Sequence, residues 1–115
     1  MKKILYSLMA AVVALASVGC AAPAPQQNEV RVISYNIRYM NDKDGDNSWK
    51  FRKQASINMV NEEQPTVFGL QEAVKAQVDF LQENLPDYAY YGVGRNDGKE
   101  SGELTAIFYK KEAVD

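Results

Sequence analysis

An amide and a carboxylate, Gln71-Glu72, stand directly after the apolar run Thr66-Val67-Phe68-Gly69-Leu70. Such a run reads as a buried strand, and a buried strand ordinarily closes in a turn residue. A carboxylate in that place points to a partner at the sheet edge, and a metal ion is the expected one. A second strand-like run, Val30 to Arg38, gathers its polar atoms near its end in the same way, at Asn36. Joined by a helix, the two make a βαβ unit whose parallel strands end side by side. Asn36 and Glu72 are therefore expected to share one site.

The elements that must position this pair are readable in outline. In the first strand Val30, Val32, Ser34 and Asn36 fall on one face and Ile33, Tyr35 and Ile37 on the other, which suits a central strand covered on both faces. Trp49 to Gln64 is predicted to be an amphipathic helix with its stripe at Phe51, Ala55 and Met59, Ile57 and Val60 lying beside it. Ser48 is its predicted N-cap, and Pro65 forces Gln64 out of helical geometry and ends it. Val74, Val78, Leu81 and Leu85 give the clearest helical stripe, a packing face closed by Asn84, Pro86 and Asp87. Tyr88 to Gly94 predicts a further strand, Arg95 to Glu103 a polar loop, and Leu104 to Tyr109 a strand buried on both faces.

Two other chemistries fail on spacing. Asp42, Asp44 and Asp46 alternate as a calcium loop begins, but glycine stands at the fourth place and Lys53 where a bidentate glutamate is needed. This stretch reads as a solvated loop entering a helix. Gly92 and Gly94 resemble the start of a dinucleotide fingerprint, but its third glycine is misplaced and no helix follows. Glu62 and Glu63 are adjacent acids at a helix end and are assigned no chemistry.

Taken together, Ser34-Tyr35-Asn36-Ile37-Arg38, then Gly69-Leu70-Gln71-Glu72, then Gly102-Glu103-Leu104-Thr105-Ala106-Ile107-Phe108-Tyr109 resemble the endonuclease/exonuclease/phosphatase family in order and interval. The resemblance covers about residues 29 to 115. It implies an α/β fold, the N-terminal half of a four-layered α/β sandwich (DNase I-like), and hydrolysis of phosphoester or phosphodiester bonds with Mg²⁺, or Mn²⁺ as the alternative. It implies that Glu72 is a metal ligand and that Asn36 binds the metal, its water or the phosphate. Arg95 either clamps a phosphate with its planar fork of donors or decorates a hairpin turn. Glu103 either positions Arg95 or the substrate, or only caps its strand. Family domains are about twice as long and carry later Asp-x-Asn and Ser-Asp-His motifs. This chain has no histidine. It is therefore expected to be the N-terminal half of the enzyme, inactive alone and with the inner face of its sheet wet.

The remaining signals concern address and partners. Lys2 and Lys3 followed by the apolar run Ile4 to Ala16 read as a secretory signal, with residues 1–19 as signal peptide. The single cysteine, Cys20, follows Ser17-Val18-Gly19 in the manner of a bacterial lipoprotein site, lipidation giving it a function. Cleavage by the ordinary signal peptidase after Ala16 or Ala22 is the alternative. Residues 20–28 read as the lipidated cysteine and a tether, so the protein is expected to be exported and membrane-anchored. Without Lys2 and Lys3 there remain 11 basic residues against 15 acidic, a formal charge of −4. No basic stripe is present, which favours a small phosphoester or phosphodiester substrate over nucleic acid. A non-catalytic lipoprotein module binding a phosphorylated or carbohydrate ligand is the competing reading.

Overall fold

The computed structural model describes residues 29–114. The signal peptide, Cys20 and the tether lie outside the described residues. Strand β1 (Val32–Asn36) leads through a 3₁₀ turn (Asp42–Asn47) into helix α1 (Trp49–Glu63), and strand β2 (Val67–Gln71) into helix α2 (Lys75–Asn84). Strand β3 (Tyr88–Tyr91), a long loop and strand β4 (Ile107–Lys110) follow, with a last 3₁₀ turn at Lys111–Ala113. The sheet order is β1-β2-β4-β3, with β1 parallel to β2 and the other pairs antiparallel. The expected βαβ unit is thus present, Asn36 lying opposite Gln71 in register.

Both helices cover one face of the sheet. Phe68 and Phe108 stack across β2 and β4 with ring centroids 4.8 Å apart, Tyr88 meets Phe68 edge-on, and Tyr90 stacks on Phe108. Ile57 and Val60 of α1 and Val78 and Leu81 of α2 close over them, joined by Leu85. Val78, Leu81 and Leu85 are core, as the spacing implies, whereas Val74, the first residue of that stripe, is the half-buried N-cap residue of α2.

Three expectations need correction. First, α1 does not bury Phe51 and Ala55; it buries Trp49, Ser56, Ile57 and Val60, while Phe51 is 60% exposed. Ser56 is admitted to the buried face because its hydroxyl pairs with the Tyr35 hydroxyl of β1 at 2.8 Å. Second, Ser48 holds the N-cap position but its hydroxyl makes no capping bond and is buried without a partner; its backbone N–H donates to Gly45 O. Third, neither β1 nor β4 is buried on both faces. Among the described residues β1 is an edge strand, with Val32 68% exposed, and in β4 Phe108 is buried while Ile107 is exposed. Val32, Gly69, Ile107 and Tyr91 share this uncovered face through the strand register. An apolar run is compatible with one covered face as well as two, and periodicity alone does not separate them.

The helix end at Pro65 follows expectation. Gln64 takes the left-handed conformation (φ 47°, ψ 50°), and its N–H returns to Val60 O at 2.9 Å. The Pro65 carbonyl accepts from the buried Tyr88 hydroxyl at 2.7 Å. Burial, and then the charges of Asp87 and Glu112, push the Tyr88 pKa up from 10.0 to about 12. The folded chain therefore keeps this proton to higher pH than the unfolded chain does. The linked stability is complete below about pH 10 and is lost between about pH 10 and 12, by an amount on the order of 3 kcal/mol. Urea midpoints are expected to fall across that window, and Tyr88→Phe to flatten the fall; an unchanged slope in the variant would assign it elsewhere.

Candidate active site

The βαβ connection brings Asn36 and Glu72 together at the C-terminal ends of β1 and β2. Asn36 Nδ2 donates to Glu72 Oε1 at 2.9 Å, and the backbone N–H of Tyr39 donates to Glu72 Oε2 at 3.2 Å. Asn36 Oδ1 in turn accepts from the Arg38 N–H at 2.9 Å. That contact fixes the amide: only its oxygen can face an N–H, so its nitrogen must face the carboxylate. Arg38 and Glu72 both have positive φ, 62° and 61°, conformations that a non-glycine residue adopts only when its surroundings impose them. Asn36 and the Tyr39 amide, with a smaller contribution from Arg38, hold the Glu72 carboxyl below its ordinary pKa despite the opposing effect of desolvation. It is ionised at neutral pH.

Arg38 is itself anchored. Its Nε and Nη2 take the two carboxylate oxygens of Asp44 at 2.8 and 3.0 Å, which lowers the Asp44 pKa. This pair ties the 3₁₀ turn to the site. Arg52 supports the same corner from below, donating to Ile37 O and Asn47 O at 2.8 and 2.6 Å.

Arg95 and Glu103 reach the same end of the sheet by another route. Leu104 pairs with Ala73 on one side and Gly94 on the other, so Glu72, Glu103 and Arg95 each adjoin one member of a row of bridged backbones. Arg95 Nη1 donates to Glu103 Oε2 at 3.0 Å, and the Arg95 N–H to Glu103 O at 3.0 Å. Arg95 is an exposed side chain whose remaining guanidinium N–H groups make no protein hydrogen bond among the described residues. The loop between them is tied together internally by hydrogen bonds. Asp97 Oδ1 accepts from the N–H groups of Lys99, Glu100 and Ser101 at 2.8, 3.0 and 3.0 Å, which lowers its pKa. Gly94 must be glycine, because an added Cβ would lie 2.5 Å from Ser101 N.

Gln77 was not singled out from sequence, and Arg38 and Asp44, named there only within a motif and a failed calcium spacing, were given no role at the site. Gln77 carried a signal, a polar residue three places after Val74 on the face that buries Val78 and Leu81. Arg38 and Asp44 carried none, since nothing in their spacing marks an ion pair. The structure does not bring Cys20 into view, because it lies outside the described residues.

A carboxylate fixed by two donors at the ends of two parallel strands, on a sheet covered by helices on one face, is the arrangement of a partial DNase I-like α/β domain. Solved structures match it. One is an endonuclease/exonuclease/phosphatase from Bacteroides vulgatus, 38% identical over 72% of this chain and 32% of that one, with a TM-score of 0.71. Another is an endonuclease/exonuclease/phosphatase family protein from Bacteroides thetaiotaomicron, 40% identical over 71% of this chain and 31% of that one, with a TM-score of 0.68. A third is a mannosyl-6-phosphatase from Bacteroides thetaiotaomicron, 40% identical over 73% and 32% of the two chains, with a TM-score of 0.70. No family model and no curated protein sequence matches the chain. The chain belongs to the endonuclease/exonuclease/phosphatase family. It spans about a third of the length of the solved structures it matches.

Proposed function

We propose that this chain supplies the metal-holding and phosphate-gripping part of a divalent-metal-dependent phosphoester hydrolase, and that the natural protein is exported and lipid-anchored through Cys20. The observation that carries the reading is the Glu72 carboxylate, ionised, held on each oxygen by one donor, and set at the same sheet end as Arg95 and Glu103. Each Glu72 oxygen keeps a lone pair beyond its single protein donor, and so does Asn36 Oδ1. These are hard oxygen donors. Among the described residues no group of three or more His, Cys, Asp and Glu stands together. One carboxylate and one amide suit Mg²⁺, which keeps much of its water and takes few protein ligands, with Mn²⁺ as the alternative. Bound there, the ion would supply Lewis acidity toward a phosphoryl oxygen.

The chain's own residues then divide the work. Glu72 holds the ion; Asn36 and the Tyr39 amide keep its carboxylate charged and oriented. Arg95 presents its outward N–H groups to phosphate oxygens, and Glu103 fixes the direction of that fork. Small phosphoesters are the favoured substrates, since the chain is acidic and one similar protein is a mannosyl-6-phosphatase. The testing experiment incubates the natural full-length protein with mannose 6-phosphate and with bis(p-nitrophenyl) phosphate, with Mg²⁺ and with EDTA. Turnover in Mg²⁺ that EDTA abolishes is expected. Binding of either compound in EDTA without turnover in Mg²⁺ would replace the enzyme by a ligand-binding module.

A further inference from the structure

We propose that Gln77 is a positioning residue for Glu72, acting through the peptide unit that joins Arg38 to Tyr39. Gln77 is fully buried on α2 and does not touch the carboxylate. Its Nε2 donates to Arg38 O at 3.0 Å, and its Oε1 accepts from Val74 N–H at 3.1 Å. The second contact fixes the first, because only the oxygen can accept from an N–H. The other end of the Arg38–Tyr39 peptide unit is the Tyr39 N–H, which donates to Glu72 Oε2 at 3.2 Å.

A planar peptide transmits orientation rigidly, since its carbonyl and N–H point in opposite directions in one plane. Holding the Arg38 carbonyl therefore aims the Tyr39 N–H. The same bond polarises the peptide and strengthens the N–H as a donor. Gln77 also returns to Val74, two residues after Glu72, so both sides of the carboxylate are referred to one buried side chain. The positive φ of Arg38 is consistent with this, because a backbone held in the left-handed region needs outside contacts to stay there.

The test has two arms, and only the second rests on the metal reading of Glu72. In the natural full-length protein, scalar couplings across hydrogen bonds are expected from Gln77 Nε2 to the Arg38 carbonyl carbon and from Tyr39 N to Glu72 Cδ. Gln77→Met, which removes the donor at similar length, is expected to move the Tyr39 amide resonance upfield. Gln77→Leu removes the same donor at similar volume, and is expected to do the same should the methionine variant fold poorly. In the second arm, Mn²⁺ affinity by titration is expected to fall about tenfold to hundredfold in either variant. A residue that only stabilises the fold would lower the melting temperature while leaving the Tyr39 resonance and Mn²⁺ affinity of the folded protein unchanged, and that result, or missing couplings in the unmutated protein, overturns the proposal. Couplings and resonance shifts as expected in a protein that binds no Mn²⁺ uphold Gln77 as the positioning residue and remove the metal reading alone.

Discussion

Glu72→Gln in the natural full-length protein is expected to lower kcat/KM for phosphoester hydrolysis by about 10²- to 10³-fold, because a weakened hold on the ion removes the charge stabilisation that the ion would supply. The substitution is nearly isosteric. A glutamine oxygen still accepts from one of Asn36 Nδ2 and the Tyr39 N–H, while its NH2 group stands against the other donor; both contacts are exposed, so water takes up the displaced donor and the backbone need move little. What disappears is the negative charge that the two donors and Arg38 are arranged to keep. The melting temperature is expected to stay close to that of the unmutated protein while activity collapses. Raising Mg²⁺ should restore part of the rate, since a weakened site fills at higher concentration. Activity retained at low Mg²⁺ would move the metal ligand elsewhere.

The second large effect lies in the core. Phe68→Ala is expected to destabilise the fold by about 3–5 kcal/mol, the range for deleting a buried aromatic side chain. Phe68 is completely buried, stacks on Phe108 and meets Tyr88 edge-on, so the cavity opens in the middle of the aromatic cluster. Against total stabilities of about 5–15 kcal/mol, such a loss brings a domain of this size near unfolding. Phe51→Ala is the control, and is expected to change stability by no more than about 0.5 kcal/mol because Phe51 faces solvent. Equal losses in urea denaturation of the two variants would contradict the packing.

That contrast marks where the sequence could be read and where it could not. The ends of β1 and β2 were legible because a carboxylate after an apolar run has no packing purpose, and because parallel pairing then dictates that Asn36 and Glu72 meet. Helix α2 was legible because Val78, Leu81 and Leu85 are apolar at strict helical spacing. In α1 hydrophobicity alone misled. Ser56 is buried through a hydroxyl pair with Tyr35, 21 residues away, and Phe51 is exposed under the Lys50 ammonium, 4.8 Å from its ring centre. Neither contact leaves a trace in local periodicity. Gln77 showed as a polar residue on the apolar face of α2, but its partner, the Arg38 carbonyl 39 residues away, did not. The burial of Leu104 to Tyr109 was overread, since a run of apolar residues records no more than the side that is covered.

The positive φ of Glu72 sets the fold and the site against each other. At this backbone geometry glycine is the residue the chain would choose for itself, and asparagine the next; a glutamate costs something like 1–2 kcal/mol there. Directed evolution scored on thermal tolerance alone is therefore expected to drift away from the carboxylate and, if Glu72 holds the metal as proposed, to lose activity as it does. On the metal reading of Glu72, the glutamate at this turn is a choice made by chemistry over the preference of the backbone.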